Sequence, residues 1–77
     1  MNIKLYTKNV CPKCMLIKTV LNIAELEYET INIDEDAEAK ELIVSKGFMA
    51  VPILEVDGEF ISEVSQIQAK ISELAKW

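Results

Sequence analysis

The run Ile3-Lys4-Leu5-Tyr6-Thr7-Lys8-Asn9-Val10-Cys11-Pro12-Lys13-Cys14 decides how the rest of the chain reads. Ile3 to Thr7 is a short apolar-rich block suited to a buried strand, and Lys8-Asn9-Val10 follows as a connecting loop. Pro12 takes the first position of a helix, where a missing N–H costs nothing and a fixed φ suits the turn. Ile17, Val20, Leu21 and Ala24 then fall at i, i+3, i+4 and i+7, so a helix runs from about Pro12 to Ala24 with one apolar face. Two cysteines three positions apart, placed between a strand and a helix, have the context of a redox pair.

Outward from that run the chain keeps alternating. Tyr28 to Ile33 reads as a second strand, with Tyr28, Thr30 and Asn32 on one side and Ile31 and Ile33 on the other. Asp34-Glu35-Asp36 supplies an N-cap and negative charge for a helix that carries Ala39, Leu42, Ile43 and Lys46 to a stop at Gly47. Ile53 to Val56 and Glu59 to Ile61 are two strands joined by Asp57-Gly58, a strong hairpin-turn signal. Ser62 to Ser65 is a loop with Ser65 as N-cap, and Ile67, Ile71, Leu74 and Ala75 place one apolar stripe on a last helix. Trp77 is a packing residue or a frayed tail.

The order β-α-β-α-β-β-α follows. A strand–helix–strand unit demands a right-handed parallel crossover and the Asp57-Gly58 hairpin adds an antiparallel pair. The expected architecture is α/β, a four-stranded mixed sheet with helices on both faces, which is the thioredoxin fold in its smallest form. At 77 residues the chain holds one domain, 1–77, near the size where only about 60% of the unfolded surface becomes buried.

Composition narrows the function. Thirteen acids against eight lysines give a net charge of −5, unlike a general nucleic-acid binder with its basic face for phosphates. Yet residues 1–24 hold Lys4, Lys8, Lys13 and Lys18 and no acid, so both cysteines sit in the one locally basic stretch. Apolar residues reach 51% without a run long enough to span a membrane, and Met1 to Tyr6 lacks the features of a secretory signal, so a cytoplasmic protein is expected. Two cysteines are too few for a disulfide-scaffolded secreted domain.

Only a thiolate attacks a disulfide, so a working cysteine needs a pKa below the ordinary value of about 8.5. Cys11 immediately precedes the helix, where free N–H groups and the positive end of the dipole favour an anion, and Lys8 and Lys13 add positive charge. Cys11 therefore reads as the nucleophile and Cys14, one turn on, as the resolving thiol. Two other readings stand beside this one: buried small hydrophobes, or part of a metal site. Zinc would want four ligands, and the chain has no histidine and no third cysteine. A two-coordinate copper(I) carrier is the rival of another class, although small copper chaperones carry Met where this chain has Asn9 and hairpin strands where it has a strand and a helix.

The run Leu5 to Cys14 resembles the start of glutaredoxins and of NrdH-type redoxins. Ile31-Asn32-Ile33-Asp34, Gly47-Phe48-Met49-Ala50-Val51-Pro52 and Asp57-Gly58 resemble later parts of the same family, with Gly47-Phe48 nearer the NrdH type. The resemblance implies a cis proline at Pro52 facing the disulfide, and at Val51 a backbone that an extended substrate could join. It implies that Tyr6 and Lys8 flank the active site, with Lys8 a glutathione contact and Ser65 a substrate or glutathione contact. It further implies a dithiol–disulfide oxidoreductase with no bound cofactor beyond its Cys11–Cys14 disulfide, a monomer that reduces protein disulfides, ribonucleotide reductase foremost. Thioredoxin reductase or glutathione would be the electron source. One stretch departs from both subfamilies: where glutaredoxins hold a glutathione carboxylate on a Gly-Gly turn, this chain reads Ser62-Glu63-Val64-Ser65-Gln66, and Glu63 would repel an anion.

Overall fold

A computed structural model describes residues 1–76; Trp77 lies outside the described residues. The elements run β1 (Ile3–Thr7), α1 (Pro12–Ile23), β2 (Glu29–Asn32), α2 (Ala37–Ser45), β3 (Ile53–Val56), β4 (Glu59–Ile61) and α3 (Val64–Ala75). The sheet order is β2-β1-β3-β4, with β1 and β2 parallel and the other pairs antiparallel. The four-stranded mixed sheet expected from the sequence is thus present, and β1, the strand that leads into the cysteines, lies between two neighbours.

The sheet separates two cores because strand side chains alternate between faces. Ile3 and Leu5 of β1 join Leu54 and Val56 of β3 against Ile17 and Leu21 of α1 and Ile67 and Ile71 of α3. On the other face Tyr6 and Ile53 meet Ala39 and Ile43 of α2, with Ile31, Ile33, Phe48, Val51 and Phe60 packed around them. Leu5 pairs across β1 and β3 with Leu54, and Tyr6 with Ile53, so one register serves both faces. A slip by one residue would exchange the two sets.

The turns are set by residues that tolerate unusual backbone. Asp57 and Gly58 both have positive φ, +49° and +93°, as a tight hairpin turn needs. Asp57 is also held through two bonds to Asn2: its carboxylate accepts from the Asn2 N–H at 2.7 Å and its own N–H donates to the Asn2 carbonyl at 2.9 Å. Gly47 ends α2 at φ +86°. Asp36 caps α2, its carboxylate accepting from the Ala39 N–H at 3.0 Å.

Two boundaries differ from the sequence reading. β2 is shorter than Tyr28–Ile33, although the Ile33 N–H still reaches the Thr7 carbonyl at 2.8 Å. The loop after β4 is also shorter, for α3 begins at Val64 with Glu63 in the cap position and Ser65 already helical. The cause is packing. Val64 lies against the α1/α3 core, so the apolar stripe starts at Val64 and continues through Ile67 and Ile71, and burial outweighs the capping preference of a serine one residue on.

Candidate active site

Cys11 lies where the central strand β1 hands over to α1. It occupies the N-cap position of α1, and its Sγ accepts the Cys14 N–H at 3.1 Å, the role that an oxygen of Ser or Asp fills in other helices. Pro12 at the first helical position has no N–H to leave unsatisfied. Cys11 and Cys14 are joined by a disulfide, with 5.2 Å between their Cα atoms. Cys11 retains 8% of its surface and Cys14 only 2%, so an incoming sulfur meets Cys11 first.

A groove of about 310 Å³ opens at Cys11, lined by Lys8, Val10, Cys11, Pro12, Lys13 and Val51. The Val51–Pro52 peptide bond is cis, and Pro52 is buried directly before β3. A second hollow of about 120 Å³ adjoins it, sharing Lys8 and Val51 and extending past Phe48 and Val44 to Met49 and Lys40. Met49 is 98% exposed at its rim. Chain segments distant in sequence therefore converge, the loop after β1 with the loop before β3.

Of the residues singled out from the sequence, Lys8, Cys11, Pro12, Lys13 and Val51 line one groove and Pro52 adjoins them. Tyr6 does not line either hollow but belongs to the buried cluster against which Val51 packs. Its ring is buried under α2 and stacks on Phe60 at 6.0 Å between centroids, and its hydroxyl donates to Glu55 Oε1 at 2.7 Å. Burial, and then the hydrogen bond to Glu55, push its pKa above the ordinary tyrosine value. Ser65 lies exposed in the first turn of α3, outside both hollows. Lys40, Phe48 and Met49 are lining residues that sequence reasoning did not select; their approach depends on how α2 and its exit loop pack, and no local pattern signals it.

A glutaredoxin family model matches residues 3–61. The chain belongs to the glutaredoxin family. Among its relatives are glutaredoxin-like proteins NrdH: that of Lactococcus lactis subsp. lactis is 36% identical over 55 residues, 71% of this chain and 76% of that one. That of Escherichia coli K12 is 33% identical over 54 residues, 70% of this chain and 67% of that one. The solved structure of the Escherichia coli NrdH-redoxin superposes with a TM-score of 0.80 at 28% identity, covering 90% of this chain and 93% of the other. With the Cys11–Cys14 pair in place, this glutaredoxin is a thiol–disulfide oxidoreductase of NrdH-redoxin type, and its fold is thioredoxin-like.

Proposed function

We propose that the chain is a dithiol electron donor to protein disulfides, with the active-site disulfide of ribonucleotide reductase as its leading client. The similarity to NrdH proteins supports this reading, and the difference in exposure between the two cysteines carries it. In the proposed cycle the Cys11 thiolate attacks one sulfur of the client disulfide; a Cys11–client bond forms and the other client sulfur leaves as thiolate. Cys14 then attacks Cys11 Sγ, forming the intramolecular disulfide and releasing the second client thiol. Two electrons pass from the dithiol to the client, and the two client thiolates take up two protons, one given up by the Cys14 thiol as it attacks and one from solvent.

The geometry suits these roles. When Cys11 is a thiolate, the Cys14 N–H at 3.1 Å and the start of α1 both favour its charge, while Lys8 and Lys13 line the same groove. Val51 lines the groove beside Cys11, and in this reading an extended client segment pairs with its backbone, next to Pro52. Lys8, Lys13, Val51 and Pro52 are thus assigned to client contact.

For recharging we assign thioredoxin reductase. Glu63 stands exposed at the entry to α3 without capping it, a carboxylate in the stretch where the resemblance to glutaredoxins puts the turn that holds glutathione, and the Escherichia coli NrdH-redoxin is described as having a thioredoxin-like activity profile. The protein works as a monomer in the cytoplasm in this reading; no helix among the described residues is long and apolar enough to cross a membrane. The test follows NADPH consumption with a model disulfide, supplying either thioredoxin reductase or glutathione with glutathione reductase. Turnover with thioredoxin reductase alone is expected. Turnover with glutathione alone would make the protein a glutathione-dependent glutaredoxin, and silence in both would return attention to thiol-bound copper(I).

A further inference from the structure

Lys8, Asn9 and Val10 connect the end of β1 to Cys11, and among the described residues the loop's one backbone hydrogen bond is donated by the Asn9 N–H to Asp34 Oδ2, at 2.9 Å. Two further bonds close a ring around it. Asn32 Nδ2 donates to Asn9 Oδ1 at 2.8 Å, and Asn32 Oδ1 accepts the Asp34 N–H at 2.8 Å. Asn32 is itself fixed: it pairs with Thr7 across β1 and β2, and its carbonyl accepts the N–H groups of Glu35 and Asp36 at 3.1 and 2.9 Å. The loop that precedes Cys11 is therefore tied to the exit of β2 by side chains more than twenty residues away.

We infer that Asn9, Asn32 and Asp34 form a clamp that positions Cys11 for attack, and that the clamp matters in the reduced protein far more than in the oxidised one. The inference rests on the dithiol reading above. While the disulfide is closed, the S–S bond holds Cys11 against Cys14 whatever the loop does. When it opens, Cys11 is held at its C-terminal side by α1 and at its N-terminal side by a three-residue loop. The orientation of its Sγ toward the Cys14 N–H then depends on that loop. Asn9 and Asp34 are exposed and touch no client in this picture, so they are positioning residues rather than catalytic ones.

Asp34→Asn and Asp34→Ala delete the same charge, but the asparagine keeps an Oδ that can accept the Asn9 N–H and the alanine does not. The difference between the two variants reports the hydrogen bond alone. Turnover of a small uncharged disulfide, hydroxyethyl disulfide, should stay within about twofold of the parent in Asp34→Asn and fall roughly tenfold in Asp34→Ala. The rate of iodoacetamide alkylation against pH should move to higher pH in Asp34→Ala relative to Asp34→Asn, because a slack Cys11 loses the Cys14 N–H. Equilibrium with dithiothreitol buffers should shift in the same comparison, with Asp34→Ala holding its disulfide at a more reducing poise, since only the reduced form loses stabilisation. A clamp that served folding alone would stabilise both redox forms equally and leave that midpoint still.

Asn9→Ala supplies an independent arm if Asp34→Ala does not fold: it removes the Asn32 bond, keeps the Asn9 N–H, and should reproduce the same directions at smaller size. Equal behaviour of Asp34→Ala and Asp34→Asn in all three measurements, with an active parent, would overturn the clamp and leave the dithiol reading intact. An inactive parent would instead overturn the dithiol reading.

Discussion

At the scale of single residues the two cysteines are chemically alike and differ in what surrounds them. Cys11, more exposed and at a helix start, is the atom a client meets, whereas Cys14 is sealed beneath it. Cys11→Ser should abolish disulfide reduction, and Cys14→Ser should accumulate a mixed disulfide on Cys11, visible as a mass increase that dithiothreitol removes. Full turnover by Cys11→Ser would mean the roles are misassigned. Tyr6 makes a different kind of prediction. Its proton is retained in the folded state above the unfolded value of about 10, by burial first and by the bond to Glu55 second. The folded state then binds more protons than the unfolded one above that pH, so Tyr6 contributes stability that is complete below about pH 10 and declines as pH rises. Tyr6→Phe should cost about 1 kcal/mol at neutral pH through the lost hydrogen bond and should flatten the alkaline decline relative to the parent, as followed by urea denaturation at stepped pH.

At the scale of elements, helix starts separate what a sequence reveals from what it hides. Asp36 is a cap that local chemistry announces, and its bond to the Ala39 N–H is present. Asp36→Ala should destabilise by about 1 kcal/mol in chemical denaturation. At α3 the cap position holds Glu63, whose side chain makes no capping bond. Glu63→Ser should therefore stabilise by roughly 0.5–2 kcal/mol, while Ser65→Ala, inside the helix, should change stability by less than about 0.5 kcal/mol. Reversal of that pair would restore Ser65 as the functional cap. Strands, the hairpin turn and Gly47 were legible because each depends on neighbours within a few residues: alternation, paired positive φ, a left-handed stop. The start of α3 was not, because it is fixed by where Val64 packs in three dimensions. The ring of Asn9, Asn32 and Asp34 was equally hidden, since polar residues 23 and 25 positions apart give no pattern along the chain. Tyr6 shows a middle case. The apolar-rich run already marked its strand as buried, but the packing of its ring on Phe60 and the bond to Glu55 depend on segments far along the chain.

At the scale of the whole molecule, charge is distributed against its total. The protein carries −5 overall, yet the charged residues lining the two hollows at the active site are Lys8, Lys13 and Lys40. This follows from the topology: the β1–α1 loop comes from the acid-free first 24 residues, and the fold delivers that loop, with its cysteines, to one end of the sheet. A disulfide with carboxylates should therefore be drawn to the site at low salt, and the attraction should fade as the screening length shortens from about 30 Å at 0.01 M to about 8 Å at 0.15 M. Measured as kcat/KM, reduction of the dianionic 5,5′-dithiobis(2-nitrobenzoate) should drop about threefold over that interval, while hydroxyethyl disulfide should be unaffected. Lys40→Glu should abolish most of the salt dependence for the dianion and spare the neutral substrate, because Lys40 lines the hollow that adjoins the Cys11 groove and acts on an approaching anion through charge alone. A salt response equal for both substrates would place its origin in the thiolate and not in the lysines, and would separate the chemistry of Cys11 from the surface through which clients reach it.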